Sequence, residues 1–282
     1  MIARIAREVV EDAIADNIVL LELRYSPGYI AASPGLEDGL SIHDVHAAVM
    51  EGISSTVSSS AVCVVGLIGI VDRFSTPDQA AEAMDLFISS GDFVGVDLAN
   101  DETKYADSLF PDLFQAARSA GLGVTIHCGE VAYPGAGQAV VAAHGLQGAT
   151  RIGHGIQVVS DESAVEAARQ AGLVFEVSLS SNILTSAAPP DPALHPVRDM
   201  MDAGLAVVFC SDDPGLFDIT LSHEYDLLMS HCSLTPADLA QANLAALAAS
   251  FLPQHATAPV LPILHQALES AAQGGYSSTP MR

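Results

Sequence analysis

Seven short apolar runs, separated by amphipathic stretches of ten or more residues, predict an α/β fold: a TIM-type (β/α)8 barrel missing its first strand. Connections of that length imply parallel pairing with right-handed crossovers. The run count stops at seven in a chain that opens on a helical pattern, whereas a closed barrel of this type needs eight strands. An open doubly wound sheet is the competing architecture, but it usually carries a Gly-rich nucleotide loop after its first strand, and none is present. Gly135-Ala136-Gly137 lacks the third glycine and the basic residue of a phosphate loop and reads as a helix start. With no composition break, long linker or internal repeat, residues 1–282 read as one barrel-type domain, incomplete at its N-terminal end.

Each element follows from local pattern. Ile2, Ile5, Val9, Ala13 and Ile14 recur at helical spacing with charged residues between them. Residues 18–23 form the first strand, left through Arg24-Tyr25-Ser26-Pro27-Gly28. A helix starts near Ser41, whose hydroxyl and Asp44 suit a capping box; His43 and His46 on it read as surface residues. Residues 61–71 are a strand, Thr76-Pro77 opens a helix running to residue 88, and 93–98 are a strand. The alternation continues with helix 110–120, strand 122–127, helix 136–146, strand Arg151–His154 and helix 161–171. Strand 173–177, helix 196–203 and strand 205–210 complete it, and the Ala-rich tail from Thr235 is helical.

Half of the residues are hydrophobic and only 5% aromatic, so the core is built from Ala, Val, Leu and Ile, which suits helices on a parallel sheet. A net charge of -24 argues against nucleic acid or an anionic membrane as partner. The four cysteines show no paired spacing and read as reduced thiols of a cytoplasmic protein. No signal peptide pattern opens the chain, and the apolar run 61–71 is shorter than the roughly 20 residues that span a bilayer.

The chemistry concentrates at strand ends. Val124-Thr125-Ile126-His127-Cys128-Gly129-Glu130 is a buried strand ending in a histidine, with a carboxylate three residues on. Later strands end in His154 and in Asp212-Asp213. Alone, a strand-end histidine reads as a hydrogen-bonded structural residue, and Asp-Asp-Pro as a capped turn. Strand C-termini of a barrel converge on one mouth, however, and two imidazoles with a carboxylate suit zinc with an open position for a water. Glu130 stands one step beyond His127, placed to shuttle a proton, and Asp213 is placed to face a substrate donor. Gly153 and Gly155, flanking His154, favour close approach by a ligand.

These residues resemble the adenosine deaminase branch of the metal-dependent amidohydrolases. Four signatures match in order: Thr125 to Glu130, Arg151-Ile152-Gly153-His154-Gly155, Ser180-Ser181-Asn182 and Ser211-Asp212-Asp213-Pro214. Leu23 to Pro27 and Asp97 to Glu102 also look like family segments. The resemblance implies His127 and Asp212 as metal ligands, Glu130 as proton donor to the purine ring and His154 as the group that orients the attacking water. It implies Asp213 and Asn100 as substrate contacts, with Asn100 standing where the family commonly has a glycine. The implied cofactor is one zinc ion per chain. Two of its ligands are expected from an absent N-terminal segment, because the family's His-x-His occurs nowhere in these residues.

The implied reaction is hydrolytic deamination of an aminopurine nucleoside, adenosine or deoxyadenosine, by a metal-activated water. Adenine or another adenine-bearing metabolite is the alternative substrate, and a catalytically inactive truncated relative the alternative role. Cations such as Lys104 and Arg151 are sparse, which favours a nucleoside or free base over a nucleotide. The expected partner is a small purine, with no nucleic acid and no membrane.

Overall fold

A computed structural model describes residues 1–35, 39–57, 63–106 and 109–272. Seven parallel strands run in sequential order: β1 Leu20–Tyr25, β2 Val64–Asp72, β3 Phe93–Ala99, β4 Gly123–Cys128, β5 Arg151–His154, β6 Val174–Val177 and β7 Ala206–Phe209. The architecture is α/β, with seven of the eight strands of a TIM-type barrel among the described residues. Every strand lies within about two residues of its predicted run except β2, where the run began at 61; residues 61 and 62 lie outside the described residues. Helices fill the predicted intervals, and among the described residues none is long and apolar enough to cross a membrane.

Two compact units divide the chain, Met1–Val124 with Phe251–Ala256, and Thr125–Ser250 with Thr257–Arg282. In the first, the opening helix Ile2–Ala15 buries Ala6, Val10 and Ala13 against helix Ile42–Val57, which contributes Val45, Val49 and Ile53. Gly52 permits this approach, since a Cβ there would strike the Ala3 carbonyl. The capping box of Ser41 and Asp44 forms as predicted, Ser41 N donating to Asp44 Oδ2 at 3.0 Å and Asp44 N to Ser41 Oγ at 3.2 Å. His46 departs from its reading as a surface residue. It shares the inward stripe of Val45, Val49 and Ile53, bonds Tyr25 Oη at 2.7 Å and Asp92 Oδ2 at 2.9 Å, and stacks on Phe93. His43, on the same helix, is exposed.

In the second unit, Ile126, Ile152, Phe175, Ile156, Leu179 and Met200 are fully buried and form the packing floor beneath the strand ends. A polar tie crosses it: Glu176 takes Arg151 Nε at 2.7 Å and the Thr125 hydroxyl at 2.9 Å, while Arg151 Nη1 donates to the Ala249 carbonyl at 3.1 Å. Helix Glu162–Ala171 is capped by Asp161, which accepts from the Ser163 and Ala164 amides and, at 2.8 Å, from Gln138 Nε2.

Hydrogen bonds from Ser163 first, then Gln138 and the Ala164 amide, hold the Asp161 carboxyl at about 2, below its ordinary value of 3.8. A carboxyl depressed on folding stabilises the native state above its unfolded pKa, and that contribution is lost as pH falls through the folded value. Asp161→Ala is therefore expected to melt at a lower temperature than the parent near neutrality. The gap should shrink between pH 4 and pH 2 in scanning calorimetry.

Candidate active site

Three strand ends of the second unit bring His127, His154 and Asp212 together. One potential ligand atom from each lies within 4.8 Å of the others. The two imidazoles meet edge-on, their centroids 5.1 Å apart and their planes at 63°. His154 Nε2 stands 3.8 Å from Asp212 Oδ2 and 3.7 Å from Glu130 Oε2. His154 is buried, His127 half-buried, and Asp212 opens to solvent.

Backbone shape fixes these positions. His154 (φ 59°) and Asp212 (φ 57°) both adopt left-handed conformations, which cost a residue with a Cβ on the order of 1–3 kcal/mol and persist only where surrounding contacts over-determine them. Gly129, at φ 64°, turns the chain between His127 and Glu130, and a Cβ there would meet Val140 at 2.7 Å. The glycines beside His154 are required by packing. A Cβ on Gly153 would stand 3.0 Å from the His127 ring, and one on Gly155 2.6 Å from Phe175.

Helix Leu179–Leu184 lies beneath the cluster and supplies most of its support. Ser181 Oγ donates to Asp212 Oδ2 at 2.7 Å. Asn182 Nδ2 lies 3.0 Å from His154 Nδ1 and 3.5 Å from Glu130 Oε1, and the Thr185 hydroxyl donates to Glu130 Oε1 at 3.2 Å. Behind Asn182 sits buried His195, its Nε2 3.2 Å from Asn182 Oδ1. Burial first, then the neighbouring His154, push the His195 pKa down to about 4, so the ring is neutral at ordinary pH. The Ser180 amide is held by Glu224 at 3.0 Å, a carboxyl whose pKa burial raises. Sequence reading found the Ser180-Ser181-Asn182 motif but gave it no role, and it missed Thr185 and His195. Thr185 was accessible as the residue one helical turn beyond Ser181.

Asp213 sits at the N-cap position of the short helix Pro214–Phe217 but makes no side-chain cap bond, so the capped-turn reading does not hold. Desolvation first, then the like charge of Asp212, raise its pKa, against a lowering by His127. Arg151, a candidate phosphate cation by sequence, is committed to Glu176 within the packing floor. In the first unit, Asn100 adopts φ 81° and donates from Nδ2 to Asp72 Oδ1 at 2.6 Å; Asp72 also accepts from Ser26. That backbone conformation is one glycine enters freely and asparagine tolerates better than most residues. Lys104, in the same unit, is exposed and lies over the Tyr105 ring.

The family model "Adenosine deaminase" matches residues 1–266. The chain belongs to the adenosine deaminase family. An adenosine deaminase from Shewanella denitrificans is 34% identical over 241 residues, covering 85% of this chain and 70% of the relative. Among solved structures, a cog1816 amidohydrolase from Burkhoderia ambifaria with bound Zn aligns at TM-score 0.84 and 27% identity, over 97% of this chain and 74% of the other. An N6-mAMP deaminase from Arabidopsis aligns at TM-score 0.81 and 28% identity, over 94% and 78%.

The His127 imidazole and the Asp212 carboxylate, the latter oriented by a serine hydroxyl, fit a zinc ion of the kind a metal-dependent purine deaminase of this family requires. Removing that hydroxyl in Ser181→Ala is expected to weaken zinc binding by about 10–100-fold with little change in thermal stability. Competition titration against a fluorescent chelator measures it, and unchanged affinity would show that Asp212 needs no such support.

Proposed function

We propose that the chain is an aminopurine hydrolase acting on a nucleoside, with adenosine or deoxyadenosine as substrate and inosine or deoxyinosine as product. The observation that carries the reading is the convergence of His127, His154, Glu130 and Asp212 on one another from separate strands. Zinc, when bound, supplies a Lewis acid that brings a water toward ionisation at neutral pH. His127 and Asp212 are the ligands this chain offers, and the family's His-x-His has no counterpart in its 282 residues. One ion per chain, held by two of four ligands, is the stoichiometry we expect here.

Glu130 delivers a proton to the purine ring nitrogen beside the reacting carbon, held for that task by Thr185 and Asn182. His154 orients the incoming water, and Asp213 meets a donor on the purine edge. Ammonia leaves as the carbon–oxygen bond replaces the carbon–nitrogen bond. Asn100 is assigned a substrate contact by family resemblance alone. Each described cation of the second unit, Arg151, Arg169 and Arg198, is engaged by a carboxylate, which supports an uncharged substrate over a nucleotide. The four free cysteines support a reducing, cytoplasmic setting, and the chain is read as one incomplete barrel domain.

The absent His-x-His favours a second reading, a chain that binds zinc weakly and turns over slowly until those ligands are supplied. Zinc-supplemented protein is expected to release ammonia from adenosine faster than from adenine or AMP. Glu130→Gln should lower that rate by about 10²–10⁴-fold, the usual worth of a positioned general acid. Absence of ammonia with all three substrates sinks the enzyme reading for this chain, and preference for AMP sinks the nucleoside assignment.

A further inference from the structure

A line of hydrogen bonds runs from His154 into the interior and ends on a group of fixed polarity. The Val197 amide donates to His195 Nδ1 at 3.1 Å. A backbone N–H can only donate, so Nδ1 is the lone-pair nitrogen of that buried, neutral ring, and its one proton is on Nε2. That proton faces Asn182 Oδ1 at 3.2 Å. The opposite end of the same amide, Nδ2, therefore points at His154 Nδ1, 3.0 Å away. Glu130 Oε1 lies 3.5 Å from the same Nδ2, a distant second neighbour of that end of the amide, so His195 is what sets the orientation. An amide NH2 has no lone pair to offer, so His154 Nδ1 must accept.

We propose that His195 and Asn182 are positioning residues that hold His154 with its lone pair on Nδ1 and its proton on Nε2. His154 Nε2–H then faces Asp212 Oδ2 at 3.8 Å and Glu130 Oε2 at 3.7 Å, beyond direct hydrogen bonding, and its Nε2 offers no lone pair to a metal. Within the three-residue cluster this separates His154 from His127 and Asp212. The consequence for turnover rests on the aminohydrolase reading; the tautomer does not. Three interior residues, none of which touches the open side of the cluster, thereby set which ring nitrogen carries the proton.

The test uses the full chain, zinc-free and labelled with 15N-histidine, near neutral pH. Long-range 1H–15N correlation spectra report which ring nitrogen is protonated, and His154 is assigned by the signals lost in His154→Gln. The expected wild-type pattern is a lone-pair shift at Nδ1 and a protonated shift at Nε2. In Asn182→Asp the carboxylate cannot donate to Nδ1, and the pattern should reverse. His195→Phe should give mixed tautomers, whereas His195→Gln, whose amide still donates to Asn182 Oδ1, should restore the wild-type pattern.

A wild-type ring protonated on Nδ1, or an unchanged pattern in Asn182→Asp, overturns the proposal. Should Asn182→Asp not fold, identical spectra for His195→Phe and His195→Gln overturn it equally. In zinc-supplemented protein, Asn182→Asp should lose about 10–100-fold in kcat with KM nearly constant, the usual size of an effect from a group that orients another. If the wild-type spectrum is as expected but no substrate yields ammonia, the aminohydrolase reading falls and the tautomer assignment stands.

Discussion

Helix Leu179–Leu184 is buried at its N-terminal turn, Leu179, Ser180, Ser181 and Asn182, and a buried polar group left without a partner costs about 1–3 kcal/mol. That constraint governs the second unit. The partners that satisfy the helix are Asp212, His154, His195, Glu130 and Glu224, so the helix is seated against the reacting groups themselves. Polar satisfaction of the helix and site geometry here rest on the same hydrogen bonds. A substitution that loosens Ser181 or Asn182 disturbs the cluster before it disturbs the hydrophobic floor, because all the floor's large side chains but Leu179 belong to other elements.

The same requirement explains the backbone strain. A strand carries successive side chains to opposite faces, so a residue at its end needs a sharp turn if its neighbours are not to continue the sheet. His154 and Asp212 make that turn in the left-handed region without being glycine. Gly129 and Gly155 take the adjoining turns where a Cβ would strike Val140 or Phe175. The strained conformations at His154 and Asp212 are held by the hydrogen bonds from Asn182 and Ser181, which give each side chain a single preferred placement.

Much of this was legible before any coordinates. The seven strands follow from apolar runs, and His127, His154 and Asp212 stood out because each closes one. Residues whose role depends on where separate segments meet were not legible. No spacing relates His195 to His154, and an imidazole followed by proline has no periodic signature. His46 was misread because two histidines three apart draw attention to each other, whereas its burial follows from the stripe it shares with Val45, Val49 and Ile53. The glycines around His154 mark a close approach, and the His127 ring and Phe175 are groups that make it.

Arg151 bears on the proposed substrate through the pairing that already occupies it. Its guanidinium pairs with Glu176 at 2.7 Å, both side chains about 6% exposed, and also holds the Ala249 carbonyl. Withdrawing one member of a buried pair leaves the other charge uncompensated, at a cost of roughly 3–5 kcal/mol. Arg151 therefore cannot turn to a phosphate without leaving the buried Glu176 charge unpaired. Arg169 and Arg198 are exposed and already joined to Glu166 and Asp202 on their own helices. A phosphate dianion entering this unit would meet Asp212, Asp213 and Glu130 first, in a chain of net charge -24. A neutral purine nucleoside meets the same carboxylates as hydrogen-bond acceptors, and for it their abundance is no penalty.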